Sequence, residues 1–97
     1  MPKAPLLSDS EIEEHLTRLP AWRRENNRIV RTFEFADFRG ALDFLTTVAD
    51  VADERNHHPD VSIHWNEMTL ALWTHASGGI TERDVGLADA IDRLMED

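Results

Sequence analysis

The sequence predicts an α+β fold with the element order α-β-β-α-β-β-α, in which four strands form an antiparallel sheet and the helices pack on one face. Three observations predict this fold class. Apolar residues recur at helical spacing in three segments, two pairs of strand-like segments lie between those helices, and capping or turn residues separate the elements. The pattern itself requires antiparallel pairing only within each of the two hairpins.

The composition is that of a small folded protein with one site. A chain of 97 residues, 41% apolar and 30% charged, suffices for one core, so we expect a single domain over residues 1–97. A formal charge of −9 argues against nucleic acid or an anionic membrane as a partner. The absence of cysteine excludes disulfides, thiolate metal sites and thiol nucleophiles. The first residues contain no apolar run typical of a signal peptide, which predicts a cytoplasmic location.

The first helix and the first hairpin are predicted over residues 9–19 and 22–35. Ser8 and Glu11 form a capping-box pair, apolar residues follow at near-helical spacing, and Pro20 prevents continuation. The next segment is rich in β-branched and aromatic residues, and two asparagines at 26–27 provide a tight turn.

The second half of the chain repeats this organisation. Asp37 caps a second helix that ends near Asn56, with an apolar residue at every third or fourth position. Strand-like alternation on both sides of residues 66–67 predicts a second hairpin. Thr81 and Asp84 form another capping pair at the start of a last helix.

Three histidines are predicted to meet at the open end of the second hairpin. Folding that hairpin about residues 66–67 brings His58 opposite His75, and His57 precedes His58 directly. Imidazole is the side chain whose ordinary pKa lies nearest neutrality, so such a cluster can both accept and donate protons.

The residues around the histidine pair predict different surroundings for the two rings. Pro59 favours an extended conformation at His58, which holds the adjacent rings on different sides of the chain. Asp53 lies four residues before His57, and its carboxylate can orient an imidazole if the helix persists that far. We therefore expect His57 to lie nearer to Asp53, and His58 to face His75.

At these residues the sequence resembles the pterin-4a-carbinolamine dehydratases, also known as dimerisation cofactors of a hepatocyte transcription factor. The family pattern is a charged residue, three residues, His, His or Asn, Pro, an aromatic after a short gap, nine residues, His or Trp, and then Asp. The segment at residues 35–38 extends the resemblance upstream, so that it covers nearly the whole chain. The matching positions are Asp53, His57, His58, Pro59, Trp65, His75 and Asp84.

The resemblance implies a fold, an activity and an assembly. The reaction it implies is removal of water from a 4a-hydroxytetrahydropterin to give a quinonoid dihydropterin, without a metal or an organic cofactor. His57, His58 and His75 are the implied catalytic residues. The implied fold is a four-stranded sheet with helices on one face, assembled as dimers or as dimers of dimers. Asp53 stands where many relatives carry a glutamate, which is longer by one methylene.

Further residues are candidates for substrate binding or for the walls of the site. The candidate substrate-binding residues are Asp53, Pro59, Arg83 and Asp84, although Asp84 also fits a purely capping role. Trp65 fits a core position better than a stacking platform, and Trp73 shares strand parity with His75, so it lines the pocket or an oligomer contact.

Two other functions remain open at this point. Three histidines and Asp53 are potential ligands for zinc or iron, although adjacent histidines before a proline converge poorly on one ion. The second alternative is a non-catalytic interaction or assembly module, because the resembled family includes partner proteins. Retention of all three histidines argues against a purely non-catalytic module.

Overall fold

The element order in the structure is the predicted one. The computed structural model describes residues 4–96, so residues 1–3 and 97 of the predicted domain lie outside the described part. The helices are α1 (Asp9–Thr17), α2 (Phe38–Arg55) and α3 (Glu82–Leu94). The strands are β1 (Arg23–Glu25), β2 (Arg28–Glu34), β3 (Asp60–His64) and β4 (Glu67–Leu72). Helix α1 ends two residues before its predicted end, because the last N–H groups bond carbonyls three residues back.

The sheet confirms the predicted α+β fold class and completes its topology. The strand order is β1-β2-β4-β3, and each neighbouring pair is antiparallel. The central pairing of β2 with β4 joins the two hairpins, which the hairpin pattern alone left open. Strands β1 and β3 are the two edges of this sheet.

The predicted capping side chains begin all three helices. Ser8 and Glu11 exchange side-chain and backbone hydrogen bonds at α1, and the bond donated by the Ser8 N–H lowers the pKa of the Glu11 carboxyl. The Asp37 carboxylate accepts from the N–H of Gly40 at α2. Thr81 and Asp84 form the same reciprocal capping box at α3.

The core lies between one face of the sheet and the helices. Apolar residues alternate along β2 and β4 so that one face is buried, and the helices cover it. On the other face, the hydroxyls of Thr32 and Thr69 lie 3.0 Å apart across the centre of the sheet. The buried residues of the inner sheet face are Ile29, Phe33, Met68, Leu70 and Leu72, and those of the helices include Ile12, Val48, Leu87 and Ile91.

The first hairpin has the predicted turn, whereas the second is displaced by one residue. Its two-residue loop is Trp65–Asn66, so that Ile63 faces Met68, whereas a turn at residues 66–67 would pair Ile63 with Leu70. The physical reason is tertiary: Asn66 exchanges hydrogen bonds with the backbone of Phe35, which holds it inside the turn. Side chains alternate with period two, so the displacement changes every partner by two residues but preserves the faces.

The prediction that Trp65 occupies a core position is also wrong. Trp65 lies in the turn with φ 51°, and 66% of its surface is exposed, so it is not a core residue.

No helix within residues 4–96 is long and apolar enough to cross a membrane.

Candidate functional site

The end of α2 positions the histidine pair. Asn56 adopts a left-handed conformation with φ 51°, which asparagine tolerates better than most residues, and it terminates the helix. The backbone N–H of His57 then donates to the carbonyl of Ala52, which closes the last turn. The chain therefore leaves α2 in a sharp turn that carries His57 toward the start of α3.

A buried carboxylate holds His57. Its Nε2 lies 2.6 Å from Oδ1 of Asp84, which has no exposed surface, and His57 itself is only 9% exposed. The second oxygen, Oδ2, accepts from the N–H of Thr81 at 2.8 Å and from the hydroxyl of Thr74 at 2.9 Å. Asp84 therefore caps α3 and orients an imidazole with the same carboxylate.

His58 has the carboxylate partner that we predicted for His57. Nε2 of His58 lies 2.8 Å from Oδ1 of Asp53, and both side chains are largely exposed. The prediction that His57 lies nearer to Asp53 is wrong. Because Asn56 reverses the chain at the end of α2, it is His58 that returns toward the last turn of that helix.

His75 has neighbours that the predicted register did not provide. Continuing the observed register beyond the pair Asp60–Ala71 brings His58 to the level of Trp73, so the predicted pairing of His58 with His75 is wrong. The rings of Trp73 and His75 are in contact, with centroids 3.9 Å apart at an angle of 32°. Trp73 Nε1–H donates to Oδ2 of Asp60 at 2.8 Å, and Oδ1 of Asp60 lies 3.8 Å from His75 Nε2.

The three histidines line one open cavity of about 270 Å³, despite the different register. Two other surface cavities, of about 230 and 250 Å³, lie on the outer sheet face and between α1 and α3, and they contain at most one histidine each. The histidine cavity is therefore distinguished by the residues that line it and not by its size. Its lining consists of His57, His58, Trp73, Thr74, His75, Ala76 and Arg83.

The four candidate substrate-binding residues occupy different positions around this cavity. Arg83 lines it and donates to the carbonyl of Asn56 at 2.9 Å, which ties α3 to the end of α2. Asp53 stands beside His58 and Pro59 is half-buried before β3, outside the lining. Asp84 lies behind His57, so it acts on the cavity through that imidazole.

Sequence reasoning missed Asp60 and Thr74. Asp60 follows the His-His-Pro segment directly, and a carboxylate so close to two imidazoles was the available signal. Thr74 sits between Trp73 and His75, and only its hydrogen bond to Asp84 reveals its role. Among residues 4–96, no three histidine, aspartate or glutamate side chains are grouped closely enough to hold a metal ion.

The side chains of this site can both accept and donate protons. Each of its three imidazoles lies within 4 Å of a different carboxylate. Two of them, His57 and His58, make short hydrogen bonds to their carboxylates. Such pairs select a tautomer and hold the ring in place, and imidazole both accepts and donates protons near neutral pH. Fold and site together define a small α+β protein with a histidine–carboxylate cavity suited to acid–base chemistry.

Comparisons with known proteins identify the family. The model of the family described as pterin 4 alpha carbinolamine dehydratase matches residues 5–94. A Chloroflexus aurantiacus protein, provisionally named pterin-4-alpha-carbinolamine dehydratase, is 52% identical over 94% of this chain and 98% of its own. A Mycolicibacterium smegmatis protein with the same provisional name is 41% identical over 95% and 98% of the two chains. The chain belongs to the pterin-4-alpha-carbinolamine dehydratase family.

A solved structure supports the same fold. The crystal structure of a transcriptional coactivator/pterin dehydratase from Brucella melitensis superposes with a TM-score of 0.88. The two sequences are 32% identical, and the match covers 93% of this chain and 98% of the other. The predicted family resemblance is therefore confirmed.

Replacing Asp84 with asparagine tests how the buried carboxylate controls His57. The two donors on Oδ2, from Thr81 and Thr74, require an oxygen there, so the new amide nitrogen in Asp84→Asn faces His57. An amide N–H donates, so neutral His57 must accept at Nε2 and carry its proton on Nδ1. Nitrogen NMR of the imidazoles at pH 8 should show His57 with the proton on Nε2 in the parent and on Nδ1 in Asp84→Asn.

The matched control is Asp53→Asn, which makes the same change beside the exposed His58. It should leave the tautomer of His57 unaltered. An unchanged His57 tautomer in a folded Asp84→Asn variant would contradict the proposed control by Asp84.

Proposed function

We propose that the chain catalyses the dehydration of a 4a-hydroxytetrahydropterin to a quinonoid dihydropterin by histidine acid–base catalysis. The observation that carries this proposal is the convergence of His57, His58 and His75 on one cavity, each beside a carboxylate. Membership of the dehydratase family supports the choice of substrate. The catalytic unit we propose is a single domain over residues 1–97, with a cytoplasmic location.

The proposed reaction needs two proton transfers and no change in oxidation state. One imidazole removes the proton from the ring nitrogen next to the carbinol carbon, and a carbon–nitrogen double bond forms. The carbon–oxygen bond breaks as a second, protonated imidazole gives its proton to the departing hydroxyl, which leaves as water. The protons balance, so we propose that the reaction requires neither a metal nor an organic cofactor, and that it serves the recycling of tetrahydropterin.

The exposed pair His58 and His75 should carry most of the turnover. In the proposed reaction they act as acid and base, so replacing either with alanine should lower kcat by about 10² to 10⁴-fold, because a positioned acid or base contributes that much. Steady-state kinetics of the two single variants and of His58→Ala/His75→Ala, with the uncatalysed dehydration subtracted, measures the effect.

His57 should differ from this pair, because its ring is held in the wall of the cavity by Asp84. His57→Ala should raise KM more than it lowers kcat. His57→Gln, which retains a donor for Asp84, and an unchanged melting temperature guard against a loss of folding. His64→Ala, exposed on β3, is the matched control.

A double His58/His75 variant with near parental turnover would refute the acid–base pair.

Activity should depend on pH near neutrality. The proposed reaction needs one neutral imidazole to accept a proton and one protonated imidazole to donate, and imidazole ordinarily titrates at about 6.5. The rate should therefore fall both below and above a maximum within about one pH unit of that value. A profile that is flat from about pH 5 to 9, after subtraction of the uncatalysed rate, would count against histidine catalysis.

An interaction or assembly module is the second candidate function. The observation that favours it is the name of the Brucella melitensis protein, which joins transcriptional coactivator with pterin dehydratase. A dehydration assay on the purified protein separates the two functions, because a module without catalysis gives no rate above the spontaneous reaction.

We also propose that the chain forms a homodimer or a homotetramer. Strand β3 is an edge of the sheet, and its outer backbone groups are available for pairing with a second copy. Light scattering at micromolar concentration should return a multiple of the 11.1 kDa chain mass. A mass equal to one chain would contradict the proposed assembly.

A further inference from the structure

We propose that Asp60 and Trp73 are positioning residues for His75, with the Asp60 carboxylate holding the indole and the indole holding the imidazole. This inference rests on the proposed function, since it assigns to His75 an orientation needed for proton transfer. Asp60 and Trp73 are thereby parts of the site that act through another side chain.

The distances between these side chains show which contacts are direct. The indole N–H of Trp73 donates to Asp60 Oδ2 at 2.8 Å, which is a short hydrogen bond to a charged acceptor. The direct separation of Asp60 Oδ1 from His75 Nε2 is 3.8 Å, which is too long for a hydrogen bond. The rings of Trp73 and His75, in contrast, are in van der Waals contact at 3.9 Å between centroids. Asp60 therefore reaches His75 through the indole.

The sheet places these residues together. Asp60 is the first residue of β3 and pairs with Ala71 of β4. Trp73 lies two residues beyond Ala71 and so continues the same face, where diagonal neighbours are within reach of long side chains. Trp73 is half-buried, while 62% of the His75 side chain is exposed. Of the two rings, that of Trp73 is therefore the one held by the surrounding structure.

His75 needs such support more than the other two histidines do. His57 and His58 each have a carboxylate oxygen within hydrogen-bond distance, at 2.6 and 2.8 Å. His75 follows the end of β4 and is exposed, so without a neighbour its ring would sample several rotamers. Ring contact with a held indole restricts that freedom and keeps the imidazole at the cavity wall.

Variants that break the Asp60–Trp73 hydrogen bond test the proposal. Asp60→Leu and Trp73→Phe should each lower kcat by about 10- to 100-fold with little change in KM, because misplacement of a catalytic group has an effect of that size. Asp60→Asn keeps an oxygen acceptor for the indole and should stay within about 3-fold of the parent. The double variant Asp60→Leu/Trp73→Phe should be no slower than the slower single variant, since both break one interaction.

Asp50→Leu is the matched control, because it makes the same change at an exposed position of α2. All variants should keep the parental melting temperature within a few degrees. The proposal is overturned if Asp60→Asn is as slow as Asp60→Leu, since charge beside His75 would then matter and the hydrogen bond would not. It is also overturned if the two single effects multiply in the double variant.

A second measurement needs no activity. Stacking on the indole shifts the C–H proton resonances of His75 upfield, and this shift should persist in Asp60→Asn and shrink in Asp60→Leu. An unchanged shift in Asp60→Leu overturns the positioning role. A parent protein without dehydratase activity refutes the proposed function, and the proton shift still decides whether Asp60 and Trp73 hold His75.

Discussion

The buried carboxylate of Asp84 is the interaction on which the cavity and its surroundings depend. A carboxylate with no exposed surface is tolerated only when its oxygens are satisfied, and here the donors come from three parts of the chain. They are the Thr81 N–H at the start of α3, the Thr74 hydroxyl after β4, and the His57 imidazole after α2. These are the segments that surround the cavity, so one group links the stability of the fold to the geometry of the site.

The three histidines are supported in three different ways. His57 is buried against Asp84, His58 is exposed beside Asp53, and His75 is exposed with its ring in tilted contact with Trp73. Under the proposed reaction, the buried ring forms a rigid wall that binds the pterin, while the exposed rings exchange protons with water between turnovers. Each imidazole therefore has a carboxylate within 4 Å, although the surroundings of the three rings differ.

In the second hairpin the predicted register was wrong, yet the three histidines line one cavity. The strand pattern favoured a turn at residues 66–67, but the hydrogen bonds of Asn66 to Phe35 hold the turn one residue earlier. A displacement of the loop by one residue changes each partner by two and leaves the faces unaltered. His75 therefore keeps the strand parity that it shares with Trp73, and Trp73 and Asp60 are its neighbours.

The sequence by itself determined the features that local chemistry encodes. These are the helix starts at their capping boxes, the two hairpins, the fold class and the three histidines with their family pattern. Only the tertiary structure decided which carboxylate lies beside which imidazole: Asp84 beside His57, Asp53 beside His58, and Asp60 near His75. The reason is physical, because caps and turns depend on neighbours within a few residues. His57 and Asp84 are 27 residues apart, and their contact depends on how α2, β4 and α3 pack together.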